Sequence, residues 1–299
     1  MSPDILDRDS VPTIGFIIRE TASAFAEAGL ETPGLDARLL MSHTLSCDGA
    51  RLVAIENDRL GSHQAELFEQ LCERRLEGEP VHRILGHREF WGRHFILNSH
   101  TLEPRPDSEV LIEAVLARID RSGRHDEPLH ILDLGTGTGV LGLTLAAELR
   151  SSFAILTDIS SDALQAASLN AQELGLAKRV SLKKGNWFDA LKDCDGRAFD
   201  IIVSNPPYIP SGTMSGLQKE VRLHDPVAAL DGGNDGLDPY RVIFSQAVRF
   251  LTPEGVLVVE HGFDQRDVLC LLAEESGWRV ESQLNDLGGN ARGLVLTPD

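Results

Sequence analysis

The residues with the clearest chemical potential lie in the segment SNPPYIP, which runs from Ser204 to Pro210. It follows FDIIV, a run typical of a buried strand. Two prolines remove two backbone donors and fix two φ angles, so the chain must leave the sheet as a stiff, extended segment. The side-chain oxygen of Asn205 and the carbonyl of Pro206 then form two rigid acceptors. Together they suit a planar NH2 group, and Tyr208 can stack on the group that carries it.

A second candidate site is the glycine-rich segment DLGTGTG, from Asp133 to Gly139. Its glycines allow a tight turn close to a ligand, and the following helix presents unpaired N–H groups. Asp158 ends the next predicted strand, where a carboxylate can accept both hydroxyls of a ribose. The pair predicts a nucleoside site. Three alternatives stay open: a turn without a ligand, a dinucleotide site on G-x-G-x-x-G ending at Gly142, and a helix-capping role for Asp158.

Trp187, in GNWFDAL, follows the third predicted strand and is a candidate cover for an adenine ring. The alternative is a core tryptophan beside Phe188. In doubly wound sheets, ligands bind beyond the carboxyl ends of the strands at the switch point. If FDIIVS lies beside HILDL, Asn205 reaches the same crevice as the glycine loop.

These residues require an α/β framework to bring them together. From Leu129 onward, the strand patterns HILDL, FAILTD, RVSLKKG, FDIIVS and GVLVVE alternate with the helix patterns GVLGLTLAAEL and SDALQAASLNAQELG. Such alternation predicts a parallel, doubly wound sheet.

The preceding residues show other patterns. Apolar stripes predict helices in TIGFIIRETASAFAEAGL, which stops at Gly29, in LDARLLMSHTL, with Leu35, Leu39, Leu40 and His43 on one face, and in SHQAELFEQLCERRLEGEP, capped by Ser62. HREFWGRHFILN alternates with period two around Gly92 and predicts a hairpin. TLEPRPDSEVLIEAVLARI enters a helix at Pro106.

Composition narrows the classes of function. The chain has 299 residues, is 42% apolar and carries a formal net charge of −18, which argues against a duplex nucleic-acid partner. It contains no apolar run long enough for a membrane span, and its acidic N-terminus is unlike a signal peptide. The four cysteines, Cys47, Cys72, Cys194 and Cys270, are typical of reduced thiols in a cytosolic protein. The histidines match no metal-ligand spacing, so we expect no metal site.

DLGTGTG together with NPPY resembles S-adenosylmethionine-dependent methyltransferases that act on a planar nitrogen. Adenine-N6 and glutamine-N5 enzymes share that tetrapeptide. The segments GEPVHRILGHREFWG, PRPDSE, VSNPPYIP, EHG and DLGGNARG resemble the HemK-type glutamine methyltransferases, which modify the Gly-Gly-Gln loop of peptide-chain release factors. The resemblance covers nearly the whole chain and is weakest over residues 1–60. An adenine-N6 methyltransferase acting on DNA or RNA remains the alternative. A non-catalytic assembly factor is a third reading, which the intact Asn205 and glycine loop oppose.

The resemblance implies a domain plan and partners. Residues 1–83 form an N-terminal helical substrate-docking domain, residues 84–104 a β-hairpin connector and residues 105–299 a Rossmann-like class I methyltransferase domain. The implied cofactor is S-adenosyl-L-methionine, which leaves as S-adenosyl-L-homocysteine. The implied substrate is a release factor, with no direct nucleic-acid or membrane partner, and we expect a cytoplasmic monomer.

It also implies roles for particular residues. The implied cofactor contacts are Gly135, Thr136, Gly137, Thr138, Gly139, Asp158, Trp187 and Asn205. The implied substrate contacts are Asn205, Pro206, Pro207, Tyr208 and Arg105, of which Asn205, Pro206 and Tyr208 are catalytic. Two readings of Arg105 stay open: it steers the substrate at the mouth of the site, or it pairs with Asp107 or Glu109 at a helix start. The chain departs from the family pattern at Asn186, often Asp, and at Glu103, often apolar.

Overall fold

The computed structural model describes residues 12–192 and 198–299 of the chain. The chain divides into two compact units, one that ends at Leu85 and a second from Gly86 to Asp299. The acidic N-terminus, residues 1–10, and Cys194 lie outside the described residues. The domain boundaries at residues 83 and 104 stay a prediction. The hairpin, predicted as a separate connector, belongs to the second compact unit.

The first unit is helical. Its helices are α1 (Ile14–Glu27), α2 (Pro33–Thr44), α3 (Gly49–Ala54), α4 (Ser62–Leu76) and α5 (Val81–Leu85). Their apolar faces meet in a core that includes Phe25, Leu40 and Phe68. Gly29 has φ +80, a left-handed conformation that suits glycine and stops the first helix.

Two details of this unit correct the sequence predictions. Ser62 is the first residue of α4, and Gly61 is its N-cap, whose N–H donates to Oε1 of Gln64 at 3.1 Å. The buried face of α2 is rotated from the predicted stripe, because Leu35 is 55% exposed while Asp36 is buried. Asp36 accepts from Nε of the buried Arg75 at 2.7 Å, so the buried face of α2 combines this ion pair with the apolar Ala37, Leu40 and Met41.

The second unit contains the remaining strands and helices. Its strands are β1 (His87–Phe90), β2 (Arg93–Ile96), β3 (His130–Leu134), β4 (Phe153–Asp158), β5 (Val180–Lys184), β6 (Phe199–Ser204), β7 (Leu251–Glu260), β8 (Trp278–Asn285) and β9 (Ala291–Pro298). Its helices are α6 (Glu109–Ser122), α7 (Val140–Glu148), α8 (Ser161–Glu173), α9 (Lys219–His224), α10 (Asp238–Ala247) and α11 (Arg266–Glu275). A short 3₁₀ turn at Pro106–Ser108 leads into α6, so the α-helix begins at Glu109 rather than at the predicted Pro106.

The main sheet has the strand order β5-β4-β3-β6-β7-β9-β8. The first five strands in that order run parallel, which confirms the predicted doubly wound sheet. β9 is antiparallel to β7 and to β8, an edge that the sequence patterns did not predict. β3 lies between β4 and β6, so the chain reverses its direction of winding at β3. The condition that FDIIVS lies beside HILDL is therefore met.

Apolar side chains cover both faces of this sheet. One cluster joins the strands to α6, α7 and α8 through residues such as Val115, Leu143 and Ala167. The other joins them to α10 and α11 through Phe244 and Leu269. Burial on both faces explains why β6 reads as a continuous apolar run.

The β1–β2 hairpin is antiparallel, as predicted. Trp91 and Gly92 both have positive φ, which closes the two-residue turn. The indole N–H of Trp91 and the guanidinium of Arg93 donate to the same Glu148 oxygen at 3.1 and 2.7 Å, which fixes the hairpin to α7. Among the described residues, no helix combines the length and the apolar character that a membrane span needs.

Candidate functional site

The glycine loop after β3 is held by a buried carboxylate. Oδ2 of Asp133 accepts from the Thr136 hydroxyl at 2.6 Å and from the Gly142 N–H at 2.9 Å. Burial raises the pKa of Asp133 to about 6, although both hydrogen bonds oppose the increase. A Cβ on Gly142 would lie 2.9 Å from Cβ of Asp133, so the helix can approach the strand this closely only at a glycine.

Asp158 lies at the end of β4 and closes the loop from the other side. Its Oδ2 accepts from the Gly137 N–H at 2.9 Å, and its Oδ1 accepts from the Ser160 N–H at 2.8 Å. The capping alternative is wrong, because the N-cap of α8 is Ser160, whose hydroxyl accepts from the Ala163 N–H. Each carboxylate oxygen retains a lone pair for a hydroxyl ligand.

Trp187 forms a wall of the same crevice. Its backbone has φ +49, a left-handed conformation that is uncommon outside glycine. Its ring lies over the loop, since a Cβ on Gly135 would be 3.6 Å from Cζ3 of the indole. The neighbouring Phe188 is buried in the core and stacks on Phe250. Trp187 is partly buried against the same cluster and also lines the cavity, so it combines a core contact with an exposed face.

The NPPY segment is anchored along its length. The hydroxyl of Ser204 donates to the Leu134 carbonyl at 2.7 Å, which joins the end of β6 to the end of β3. Farther along, the Tyr208 carbonyl accepts from Nε2 of Gln265 at 3.0 Å, and the Ile209 carbonyl accepts from the Gly232 N–H at 2.9 Å. Within the described part of the chain, the Pro206 carbonyl takes no main-chain donor. It remains an acceptor in a rigid segment.

One cavity of about 260 Å³ brings most of the predicted residues together. The predicted site residues that line it are Arg105, Gly135, Thr136, Gly137, Thr138, Asp158, Trp187, Asn205 and Pro207. Gly139, Pro206 and Tyr208 do not line it. Gly139 is instead the N-cap of α7, and Tyr208 packs partly into the core, where burial raises its pKa to about 12.

Arg105 lies at the cavity wall but does not make the predicted ion pairs. Its Nη2 is 3.6 Å from Oδ2 of Asp225. Asp107 is 3.3 Å from Nη2 of Arg292, and Glu109 accepts from the Trp91 N–H at 2.9 Å. The reading of Arg105 as a partner of either acid at the helix start is wrong. Its side chain is 43% exposed while that of Asp225 is 6% exposed, so the guanidinium remains accessible to a ligand at the cavity wall.

Three polar residues of the site could not be given a role from the sequence. Glu103 lines the cavity and pairs with Arg88 of β1, so the charge at this position, where the family pattern is apolar, is balanced. Ser108 also lines the cavity, and its hydroxyl donates to Oε2 of Glu260 at 2.5 Å. Burial raises the pKa of Glu260 to about 7. The motifs PRPDSE and EHG contain the serine and the glutamate, but neither motif shows its partner.

The cavity fits S-adenosylmethionine. Asp158 offers acceptors for ribose hydroxyls, the face of Trp187 suits an adenine, and the loop glycines leave space where side chains would stand. Asn186 lines the cavity as an exposed amide, so the expected acceptor is present without the charge. Among the described residues there is no cluster of three or more potential metal ligands.

Comparisons with known proteins agree with this site. A family model described as the PrmC N-terminal domain matches residues 17–86, and one described as a methyltransferase domain matches residues 125–283. The catalytic domain of hMettl16, crystallised with a MAT2A 3′UTR hairpin, superimposes with a TM-score of 0.56 at 15% identity. That match covers 73% of this chain and 81% of the other, and shows the fold alone. The fold and the cavity define a class I, Rossmann-like methyltransferase.

Relatives of higher identity define the family. The release factor glutamine methyltransferase of Agrobacterium fabrum is 46% identical, with 90% of this chain and 92% of the relative covered. The protein of the same name from Rhodospirillum rubrum is 41% identical over 96% and 86% of the two chains. A bifunctional methyltransferase of Rickettsia felis is 33% identical, over 94% of this chain and 57% of its own length. The chain belongs to the release factor glutamine methyltransferase family, which confirms the resemblance read from its motifs.

Proposed function

We propose that this chain transfers a methyl group from S-adenosylmethionine to N5, the side-chain amide nitrogen, of the glutamine in the Gly-Gly-Gln motif of peptide-chain release factors. The observation that carries the proposal is the position of the NPPY segment. Asn205 lies directly after β6, next to the glycine loop that follows β3, and lines the same cavity. The names of the relatives at 41–46% identity support this substrate and not adenine.

In this proposal the cavity holds the cofactor. The residues that bind it or shape its site are Gly135, Thr136, Gly137, Thr138, Gly139, Asp158, Trp187 and Asn205. When bound, S-adenosylmethionine supplies an electrophilic methyl group on a sulfonium. Gly139 acts indirectly, as the N-cap that turns the loop into α7.

The chain's own residues act on the amide. An amide nitrogen is a poor nucleophile because its lone pair is delocalised into the carbonyl. Oδ1 of Asn205 and the carbonyl of Pro206 accept its two N–H groups, and these hydrogen bonds strengthen as positive charge develops on nitrogen. Pro207 keeps the segment extended. Tyr208 packs partly into the core behind the segment, so any contact it makes with the amide plane lies at the edge of the cavity. Orientation of this kind can supply about 7–11 kcal/mol of the barrier. The methylated nitrogen then carries positive charge and is strongly acidic, so one of its protons leaves to water after the transfer and no general base is needed during it.

Recognition of the whole substrate is assigned to surfaces outside the cavity. The helical unit that ends at Leu85 carries no chemical motif and suits a docking role, and Arg105 lies at the cavity wall. Glycines beside the target glutamine would let its backbone pass where side chains would block it. We further propose that the enzyme is a monomer, that it does not bind nucleic acid directly, and that it works in the cytoplasm, where its proposed substrate acts.

The test is methyl transfer to a purified release factor, with mass spectrometry to locate the product. We expect one added methyl on the Gly-Gly-Gln glutamine and none on DNA or RNA. Asn205→Ala should lower kcat by about 10²–10³ because one preorganised contact is lost. The matched control, Asn234→Ala, changes an exposed asparagine of the same unit and should retain activity. A methyl group on a nucleic acid or on another residue would contradict the proposal, as would a fully active Asn205→Ala.

A further inference from the structure

A buried chain of side chains connects Asn205 to Glu260. Glu260 ends β7 and is 1% exposed, and Ser108, which precedes α6, is 2% exposed. Nδ2 of Asn205 donates to Oγ of Ser108 at 3.5 Å, and Oγ of Ser108 donates to Oε2 of Glu260 at 2.5 Å. The Asn205 amide also makes a side-chain hydrogen bond that favours the ionised carboxylate. Glu260 itself does not line the cavity.

The carboxylate fixes the direction of every hydrogen bond in this chain. An ionised carboxylate only accepts, so the single hydroxyl hydrogen of Ser108 must point to Glu260. Ser108 can then offer only lone pairs to Asn205, and the asparagine must present its NH2 group to it. Oδ1 of Asn205 is therefore directed away from this network and remains an acceptor for a ligand of the cavity.

We infer that Glu260 is a positioning residue for the reaction, which acts through Ser108 and through its own contact with the Asn205 amide to hold that amide with its oxygen toward the substrate. This rests on the proposed function, in which Oδ1 of Asn205 accepts from the glutamine amide. The role is positioning because Glu260 touches neither the cavity nor a ligand within it. The Asn205 amide has two orientations of similar shape, and only one of them presents an acceptor to an NH2 group.

Protonation of Glu260 would remove this control. A protonated carboxyl can donate to Ser108, whose hydroxyl hydrogen is then available to Oδ1 of Asn205. The amide can turn over and would meet the substrate NH2 group with its own NH2 group. Activity should therefore decrease as pH falls through the pKa of Glu260, which burial raises to about 7.

Other ionisable groups surround Glu260 and do not reverse this expectation. Arg292 of β9 favours the carboxylate and Asp107 disfavours it, and neither aspartate nor arginine ordinarily changes charge near pH 7. Burial raises the pKa values of two neighbouring tyrosines, Tyr208 and Tyr240, so both stay neutral through pH 7. Burial lowers the pKa of the adjacent His261, so this imidazole is uncharged at pH 7. Glu260 is therefore the group beside Ser108 that should change charge near pH 7. Asp133 lines the same cavity, and burial raises its pKa to about 6, so it should add a separate limb near pH 6 that Glu260→Gln leaves in place.

The experiment compares Glu260→Gln and Ser108→Ala with the wild-type enzyme. kcat is measured from about pH 5.5 to 9 with a release factor and S-adenosylmethionine at saturation, and S-adenosylhomocysteine affinity is measured at each end of the range. We expect the wild-type kcat to show an acid limb with a midpoint near pH 7. Glu260→Gln should lower kcat at pH 8 by about tenfold or more, abolish that limb and leave S-adenosylhomocysteine affinity within about twofold. Ser108→Ala should also lower kcat at pH 8 and weaken the limb, because only the contact between the Asn205 amide and Glu260 then remains.

Tyr240→Phe is the matched control. The Tyr240 hydroxyl donates to the main-chain carbonyl of Glu260 at 2.7 Å and does not join the network of the carboxylate. A variant that loses this buried hydrogen bond should retain the acid limb. If a general disturbance around Glu260 were the cause, Tyr240→Phe would lose the limb as well, and the inference would be overturned.

A second measurement needs no methyl transfer. NMR of the wild-type chain with ¹³C-labelled glutamate carboxyls and ¹⁵N-labelled asparagine side chains should show Glu260 and the Asn205 amide titrating with one midpoint near pH 7. The Asn205 signal should lose that midpoint in Glu260→Gln and show a smaller change at it in Ser108→Ala. A Glu260 carboxyl that titrates near its ordinary 4.5, or an Asn205 amide that ignores it, overturns the inference. An inactive wild-type enzyme would instead contradict the proposed function and leave this titration to decide the inference.

Discussion

The substitution Glu260→Gln should stabilise the protein in a way that depends on pH. The pKa of Glu260 is about 7 in the folded chain, against an ordinary 4.5. Below pH 4.5 both states are protonated and the carboxyl has no effect on the difference between them. As pH rises from 4.5 to 7 the unfolded chain loses its proton first, so the free energy of unfolding falls. Above pH 7 the folded protein carries the full free-energy cost of ionising the buried Glu260.

The magnitude follows from the two pKa values. One pKa unit corresponds to about 1.4 kcal/mol, so ionised Glu260 costs about 3 kcal/mol of stability above pH 7. Glutamine does not ionise, and its oxygen can still accept from Ser108. The stability advantage of Glu260→Gln should therefore widen by about 2–3 kcal/mol between pH 5 and pH 8.

Urea unfolding of both proteins at pH 5 and pH 8 measures this widening. The control is Glu89→Gln, which neutralises an exposed glutamate of β1 and should stay within about 0.5 kcal/mol of wild type at both pH values. An advantage of Glu260→Gln that is the same at both pH values would show that its carboxyl is not destabilised by burial, and the reasoning about its ionisation would be wrong.

Four further outcomes test other parts of the molecule. Asp158→Ala should weaken S-adenosylhomocysteine binding by about 1.5–3 kcal/mol in calorimetry, because a charged acceptor is lost. Gly142→Ala should reduce that affinity as well, since its Cβ would lie 2.9 Å from the Asp133 carboxylate that holds the loop. An unchanged affinity would show that α7 can move away from β3. Gly232→Ala would place a Cβ 2.8 Å from the Pro207 carbonyl and should lower kcat more than cofactor affinity. Arg75→Met leaves a buried carboxylate without its arginine and should destabilise the helical unit by about 3–5 kcal/mol in thermal unfolding, while S-adenosylhomocysteine binding stays near wild type.

The parallel core and the glycine loop could be predicted because their signals are local. Apolar runs such as FDIIVS must be buried on both faces, and a glycine-rich turn between a strand and a helix has few other uses. The antiparallel strands β8 and β9 were not predicted. WRVESQLN is the edge strand and alternates only in part, and ARGLVLTP, between β7 and β8, has a buried run of only five residues. The rotation of α2 was missed for a related reason. Asp36 reads as a surface residue until Arg75, 39 positions later, is placed against it.

The hydrogen-bond network of Asn205, Ser108 and Glu260 could not be predicted from the sequence. Ser108 and Glu260 are 152 positions apart, and only the pairing of β7 with β6 brings Glu260 behind the residue that follows β6. Nothing in EHG distinguishes a carboxylate in solvent from one that is 1% exposed. A glutamine of the same size would avoid the ionisation cost at this position, so packing alone does not account for the glutamate. An ionised Glu260 is a fixed acceptor, which a glutamine is not. Such an acceptor offsets its ionisation cost if the neighbouring Asn205 amide has to present its oxygen, and never its NH2 group, to the NH2 group of the substrate.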